Sequence, residues 1–96
     1  MKTKEEVVDA LRALKPLLMD SFKVRSIALF GSYARGEQTE SSDVDVLVEV
    51  DSSIGLDFID LADLIENKIG IATDVIPADG IKPRYRQYIA KDLLYV

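Results

Sequence analysis

Ninety-six residues, a formal net charge of −5 and a complete lack of cysteine and histidine set the first limits. A chain of this length is expected to form a single domain over residues 1–96 with one ordinary core, so that a second substrate would have to bind at an open surface. Without Cys or His there are no disulfides, no zinc sites built on those ligands and no imidazole or thiol catalysis, which leaves acid–base work to Asp, Glu, Lys and Tyr.

The charge is unevenly placed: +2 over residues 1–25, −10 over 26–80 and +3 over 81–96. An acidic middle does not form the positive face that nucleic-acid binding draws on, so no direct nucleic-acid contact is expected. It suits a site loaded with metal ions. The charged start M-K-T-K-E-E and the lack of any long apolar run predict a cytoplasmic chain without signal peptide or membrane span.

Thr3 to Glu6 fits a capping box, and Val7, Val8, Leu11, Leu14 and Leu18 follow at helical spacing, so the chain opens with an amphipathic helix. Pro16 removes a backbone donor from that pattern and predicts a kink or break, with a further turn to about Phe22. A strand is expected over Val24 to Phe30, its apolar run S-I-A-L-F stopped by Gly31. Tyr33 to Gly36 allows a turn or two of helix before the polar loop Glu37 to Ser42. A second strand follows at about Val44 to Val50.

Asp51-Ser52-Ser53 offers caps for a helix over Gly55 to Ile69, with Phe58, Ile59, Ala62, Ile65 and Ile69 on one face and Gly70 as its stop. Ala72 to Ile76 reads as a third strand closed by Pro77 and the Asp79-Gly80 turn. Ile81 to Lys91 reads as a last helix that tolerates Pro83 in its first turn. Leu93 to Val96 is open between helix and edge strand.

The stretch from Phe30 to Glu49 carries the chemistry. Asp43 and Asp45, two apart in a β-branched run, share one face of a strand. Like charges so placed repel, and a divalent cation with its preference for hard carboxylate oxygen is the usual remedy. Asp74, alone among apolar neighbours, lies either at an exposed strand edge or facing that same cation, with Asp79 as the fallback. Gly31-Ser32 is at least a turn and a helix cap; in the sharper reading its backbone amides and the serine hydroxyl hold a phosphate. Arg35, one helical turn after Ser32, either solubilises the helix or leans over the phosphates. Glu37 stands where a P-loop needs lysine, which excludes that motif. Asp57, Asp60, Asp63 and Glu66 read as a solvated helix flank. Lys82, Arg84, Arg86 and Lys91 read first as a solvated face and second as a contact for triphosphate or an acidic partner.

The G-S-Y-A-R-G segment at Gly31 to Gly36, ten residues between Ser32 and Asp43, and then D-V-D on a hydrophobic strand resemble the nucleotidyltransferase superfamily of the polymerase-β type. Within it the chain is most similar to the minimal nucleotidyltransferases, the MntA-like antitoxins. The resemblance implies an α/β (α+β) fold, a small mixed β-sheet flanked by helices. It also implies transfer of AMP from ATP to a hydroxyl, with two Mg2+ ions held by Asp43, Asp45 and Asp74 and the triphosphate held by Gly31, Ser32 and Arg35. The implied partner is a HEPN-domain ribonuclease toxin modified on tyrosine. The alternative is a binding module that silences that partner by masking it.

Overall fold

The capping box at the start forms as the sequence predicts: Thr3 Oγ1 accepts from the Glu6 amide and Glu6 Oε1 accepts from the Thr3 amide, both at 3.0 Å. It starts helix α1, Lys4–Ser21, whose buried stripe is Val7, Val8, Leu11, Leu14 and Leu18. In this computed structural model, which describes all 96 residues, α1 runs unbroken through Pro16 to Ser21. Of the predicted kink or break, the break does not occur. Pro16 is exposed, and the fully or nearly buried Leu14 and Leu18 on either side of it hold the helix against the core, so packing overrides the local cost of the missing donor.

Strand β1 (Ser26–Phe30) hands over directly to the short helix α2 (Gly31–Arg35), and strand β2 (Val44–Glu49) returns antiparallel to β1. Asp51 caps a short 3₁₀ turn rather than the long helix, which begins later, as α3 (Asp57–Ile69). Its buried face is Leu61, Ile65 and Ile69, while Ile59 is 59% exposed. The expected face is therefore corrected by one position in its N-terminal half. The turn at Ser52–Ile54 precedes the helix, and Phe58 of the expected face still packs against the core. Gly70 ends the helix in the left-handed region.

Strand β3 (Thr73–Pro77) joins β2 in parallel after the α3 crossover, and Pro83 starts helix α4 (Pro83–Ala90) at its first position. The open question at the C-terminus is resolved as strand β4 (Leu94–Tyr95), antiparallel to β1, with the Val96 amide donating to the Ile27 carbonyl at 3.0 Å. The mixed four-stranded sheet has the order β3-β2-β1-β4.

Alternation along β2 sends Val44, Val46 and Val48, all fully buried, into the core with Ile27, Leu29 and the stripes of α1 and α3. The other face carries Asp45, Leu47 and Glu49 and is only partly covered, by α4. No charged residue is buried in the core. No helix is long and apolar enough to cross a membrane.

Candidate active site

The turn between β1 and α2 is held by what it buries. Tyr33, 1% exposed, is among the largest fully buried side chains and pins α2 to the core. Phe30, at the N-terminal boundary, provides no side-chain cap, so the first amides of α2 have no capping side-chain acceptor. Gly36 closes α2 in the left-handed region, and its amide bonds back to the carbonyls of Ser32 and Tyr33.

Gly31 has φ +73°, a conformation that favours glycine. The space its missing side chain leaves is taken by Asp45: a Cβ placed there would overlap Asp45 Oδ2 and lie 3.2 Å from its Cγ. Thus the carboxylate sits against the backbone of the turn. Asp45 is also paired in register with Phe30 on one side and with Asp74 on the other. Cross-strand partners point to the same face, so Asp74 and Asp45 are neighbours there and Asp43, just before β2, belongs to the same row.

Burial pushes the Asp45 carboxyl above the usual range, and the negative charges of Asp74 and then Asp43 push it further, opposed by the positive charge of Arg35. Asp45 therefore senses both neighbouring carboxylates across the site. The three do not form a closed cage, since no three acidic side chains converge tightly enough to hold an ion. Their hard oxygen donors, the depressed acidity of Asp45 and the glycine cradle nevertheless fit a magnesium-type cation, which such a row would draw inward.

Arg35 is engaged elsewhere. Its Nη1 donates to Asp92 Oδ2 at 2.7 Å and its Nε to Glu37 Oε2 at 3.3 Å. These two hydrogen bonds, Asp92 first, raise its already high pKa. A phosphate contact by Arg35 thus has to compete with Asp92. Sequence reasoning missed Asp92, whose signal is its being the sole acid in the basic segment 81–96. It also missed the anchoring role of Tyr33. Asp79 follows β3 in a 3₁₀ turn and lines a cavity that none of Asp43, Asp45 and Asp74 lines.

A glycine turn seated on one of a row of strand carboxylates, at the open face of a mixed sheet, is the architecture of a nucleotidyl-transferring enzyme. A solved structure of a candidate minimal nucleotidyltransferase shares this fold with TM-score 0.81 and 28% identity over 97% of this chain and 95% of the other. The chain belongs to the nucleotidyltransferase family: the family model described as a nucleotidyltransferase domain matches residues 5–96. Among its relatives, a candidate protein adenylyltransferase of Methanocaldococcus jannaschii is 44% identical over 100 residues, covering all of both chains. The protein adenylyltransferase MntA of Thermococcus cleftensis is 37% identical over 97 residues, covering 100% of this chain and 98% of the other. The fold is also that of a chain in the toxin–antitoxin complex MntA–HpeT, with TM-score 0.66 and 22% identity over 100% of this chain and 72% of that one.

Proposed function

We propose that this chain is a magnesium-dependent protein adenylyltransferase that moves AMP from ATP to a tyrosine hydroxyl of a HEPN-type ribonuclease toxin, and so acts as its antitoxin. The observation that carries the proposal is the seating of the Asp45 carboxylate in the space beside Gly31, in register with Asp74. The names of the relatives point to adenylylation of protein.

In this reading Asp43, Asp45 and Asp74 hold magnesium, which when bound neutralises the phosphates and lowers the pKa of the acceptor hydroxyl. The uncapped amides of Gly31 and Ser32, with the serine hydroxyl, bind the β- and γ-phosphates and leave the α-phosphorus exposed. The acceptor oxygen forms its bond to that phosphorus as the bond to the β-phosphate oxygen breaks, and pyrophosphate leaves. Asp74, exposed at the sheet edge, either completes the shell of the ion or takes the hydroxyl proton. No histidine is required, and the chain has none.

The test mixes the purified chain, ATP labelled at the α-phosphate, magnesium and a cognate HEPN protein. Label is expected on a tyrosine of the partner, and to be lost with Asp43→Asn and Asp45→Asn. Equal labelling by the double variant would refute the proposal. Full neutralisation of the toxin by that variant, without label, would instead establish masking.

A further inference from the structure

Arg35 ends α2, one turn after Ser32, and the acid that holds it most closely comes from the far end of the chain. Asp92 lies in the turn between α4 and β4, where its amide donates to the Ile89 carbonyl at 3.1 Å. Tyr95 pairs with Ala28 and Leu94 with Leu29, so the segment before β4 runs alongside Phe30 toward the glycine turn.

Two carboxylates share the Arg35 guanidinium, and they are not equal. Asp92 accepts from Nη1 at 2.7 Å with a side chain 23% exposed, whereas Glu37 accepts from Nε at 3.3 Å with a side chain 68% exposed. The shorter bond in the less solvated place is the stronger one, so Asp92 takes the larger share of the arginine's charge. One cation against two anions gives a local sum of −1. An arginine neutralised in this way offers a polyphosphate little net attraction. At Asp45 the charge of Arg35 opposes the effects of burial, Asp74 and Asp43, so the guanidinium stands within electrostatic reach of the carboxylate row.

We infer that Asp92 is a positioning residue for the triphosphate: it holds Arg35 in the empty site, gives up that arginine's charge as phosphate arrives, and so sets how tightly triphosphate and pyrophosphate are held. The inference rests on the phosphate binding proposed above. A triphosphate brings several negative charges against the single one of Asp92, and a guanidinium suits phosphate oxygen as well as carboxylate, so the exchange runs toward phosphate. After transfer Asp92 retakes Arg35, and pyrophosphate leaves a site of lower positive charge. Without such a partner the arginine would hold substrate and product alike more tightly. A salt bridge that served only to fasten the C-terminal segment to α2 would change stability and leave phosphate affinity alone.

Asp92→Asn removes the charge and keeps a side-chain oxygen that can accept from Nη1. Affinities are read by isothermal titration calorimetry in magnesium and low salt, with ATP and with inorganic tripolyphosphate. Asp92→Asn is expected to bind both about fivefold more tightly than the parent, the effect of one ion pair removed. Its KM for ATP and the pyrophosphate concentration that inhibits AMP transfer should fall by the same factor. Asp92→Ser, neutral and shorter, should change both affinities in the same direction. Arg35→Gln should weaken both ligands, and in that background the gain from Asp92→Asn should shrink to less than about twofold, because Asp92 acts through Arg35. Circular dichroism and a thermal melt check that each variant is folded. Equal or weaker binding by Asp92→Asn, or an undiminished gain in the Arg35→Gln background, would overturn the inference. The expected gain for tripolyphosphate in a chain that neither binds ATP nor transfers AMP would refute the adenylylation reading and leave Asp92 in its role. AMP transfer by the parent with no gain in Asp92→Asn would do the reverse. If the folded parent binds neither ligand, both fall.

Discussion

Replacing Gly31 by alanine tests the geometry on which the site depends, and Gly36 provides its internal control. Both glycines sit in the left-handed region, at φ +73° and +70°, but only Gly31 has a neighbour: nothing lies within 4 Å of a Cβ built on Gly36. The left-handed conformation costs a residue with a Cβ about 1–2 kcal/mol, and Gly36→Ala should lose that much stability and no more. Gly31→Ala bears the same backbone cost and must also push the Asp45 carboxylate out of its seat, which adds about 0.5–1.5 kcal/mol of rotamer strain. At about 4–8 °C per kcal/mol for a domain of this size, the two variants separate in a thermal melt by several degrees. Activity should separate them further. A displacement of about 1 Å at a positioned group costs on the order of 100-fold, so Gly31→Ala should lose about that factor in AMP transfer while Gly36→Ala keeps most of its rate. A double variant, Gly31→Ala with Asp45→Ala, should recover the strain part of the lost stability but no activity, because the clash has been removed together with the carboxylate. Equal melting temperatures and equal rates for the two single variants would refute the packing of Asp45 against the turn.

Three further outcomes follow from the same structure. Because burial, then Asp74 and Asp43, raise the Asp45 pKa in the fold, its favourable contribution is complete below the unfolded pKa and is lost as pH rises through the folded one. In metal-free buffer Asp45→Asn should therefore gain on the parent from acid to neutral pH in parallel melts; a constant difference would contradict the assignment. Leu61→Ala, at a fully buried position, should cost about 2–5 kcal/mol in urea unfolding, whereas Ile59→Ala should change stability by less than about 0.5 kcal/mol. The reverse order would place the wrong face of α3 on the sheet. Pro16→Ala restores a donor to the interior of α1 and should stabilise the fold by about 1–2.5 kcal/mol, the helix gain less the unfolded-state entropy that proline removes. A loss of stability on that change would mean that the path of α1 depends on proline.

How much of this was legible in the residues depended on the range of the forces concerned. The capping box, the glycine stop after Ile69, the Pro83 start and the strands of alternating valines are local, so α1, α3, α4 and β1 to β3 can be read directly from the chain. Of the kink or break that Pro16 suggests, the break is absent because its cost is local while the burial of Leu14 and Leu18 that overrides it is not. Ile59 is exposed for a similar reason: apolar residues at helical spacing leave the phase of a helix on a sheet open, and contacts distant in the chain put Leu61 rather than Ile59 in the core.

In the candidate site, the sequence by itself determined which groups are present and that Asp43 and Asp45 share a face, because spacing by two in a strand permits nothing else. It determined also that imidazole and thiol chemistry are absent. Only the tertiary structure decided that Asp74 stands opposite Asp45, that the Asp45 carboxylate occupies the space of the Gly31 side chain, that Asp92 holds Arg35, and that α4 walls a groove beyond Leu47. Each of those relations joins residues that are distant in the chain. Strand register and the packing of the whole core set them, and no local propensity records either.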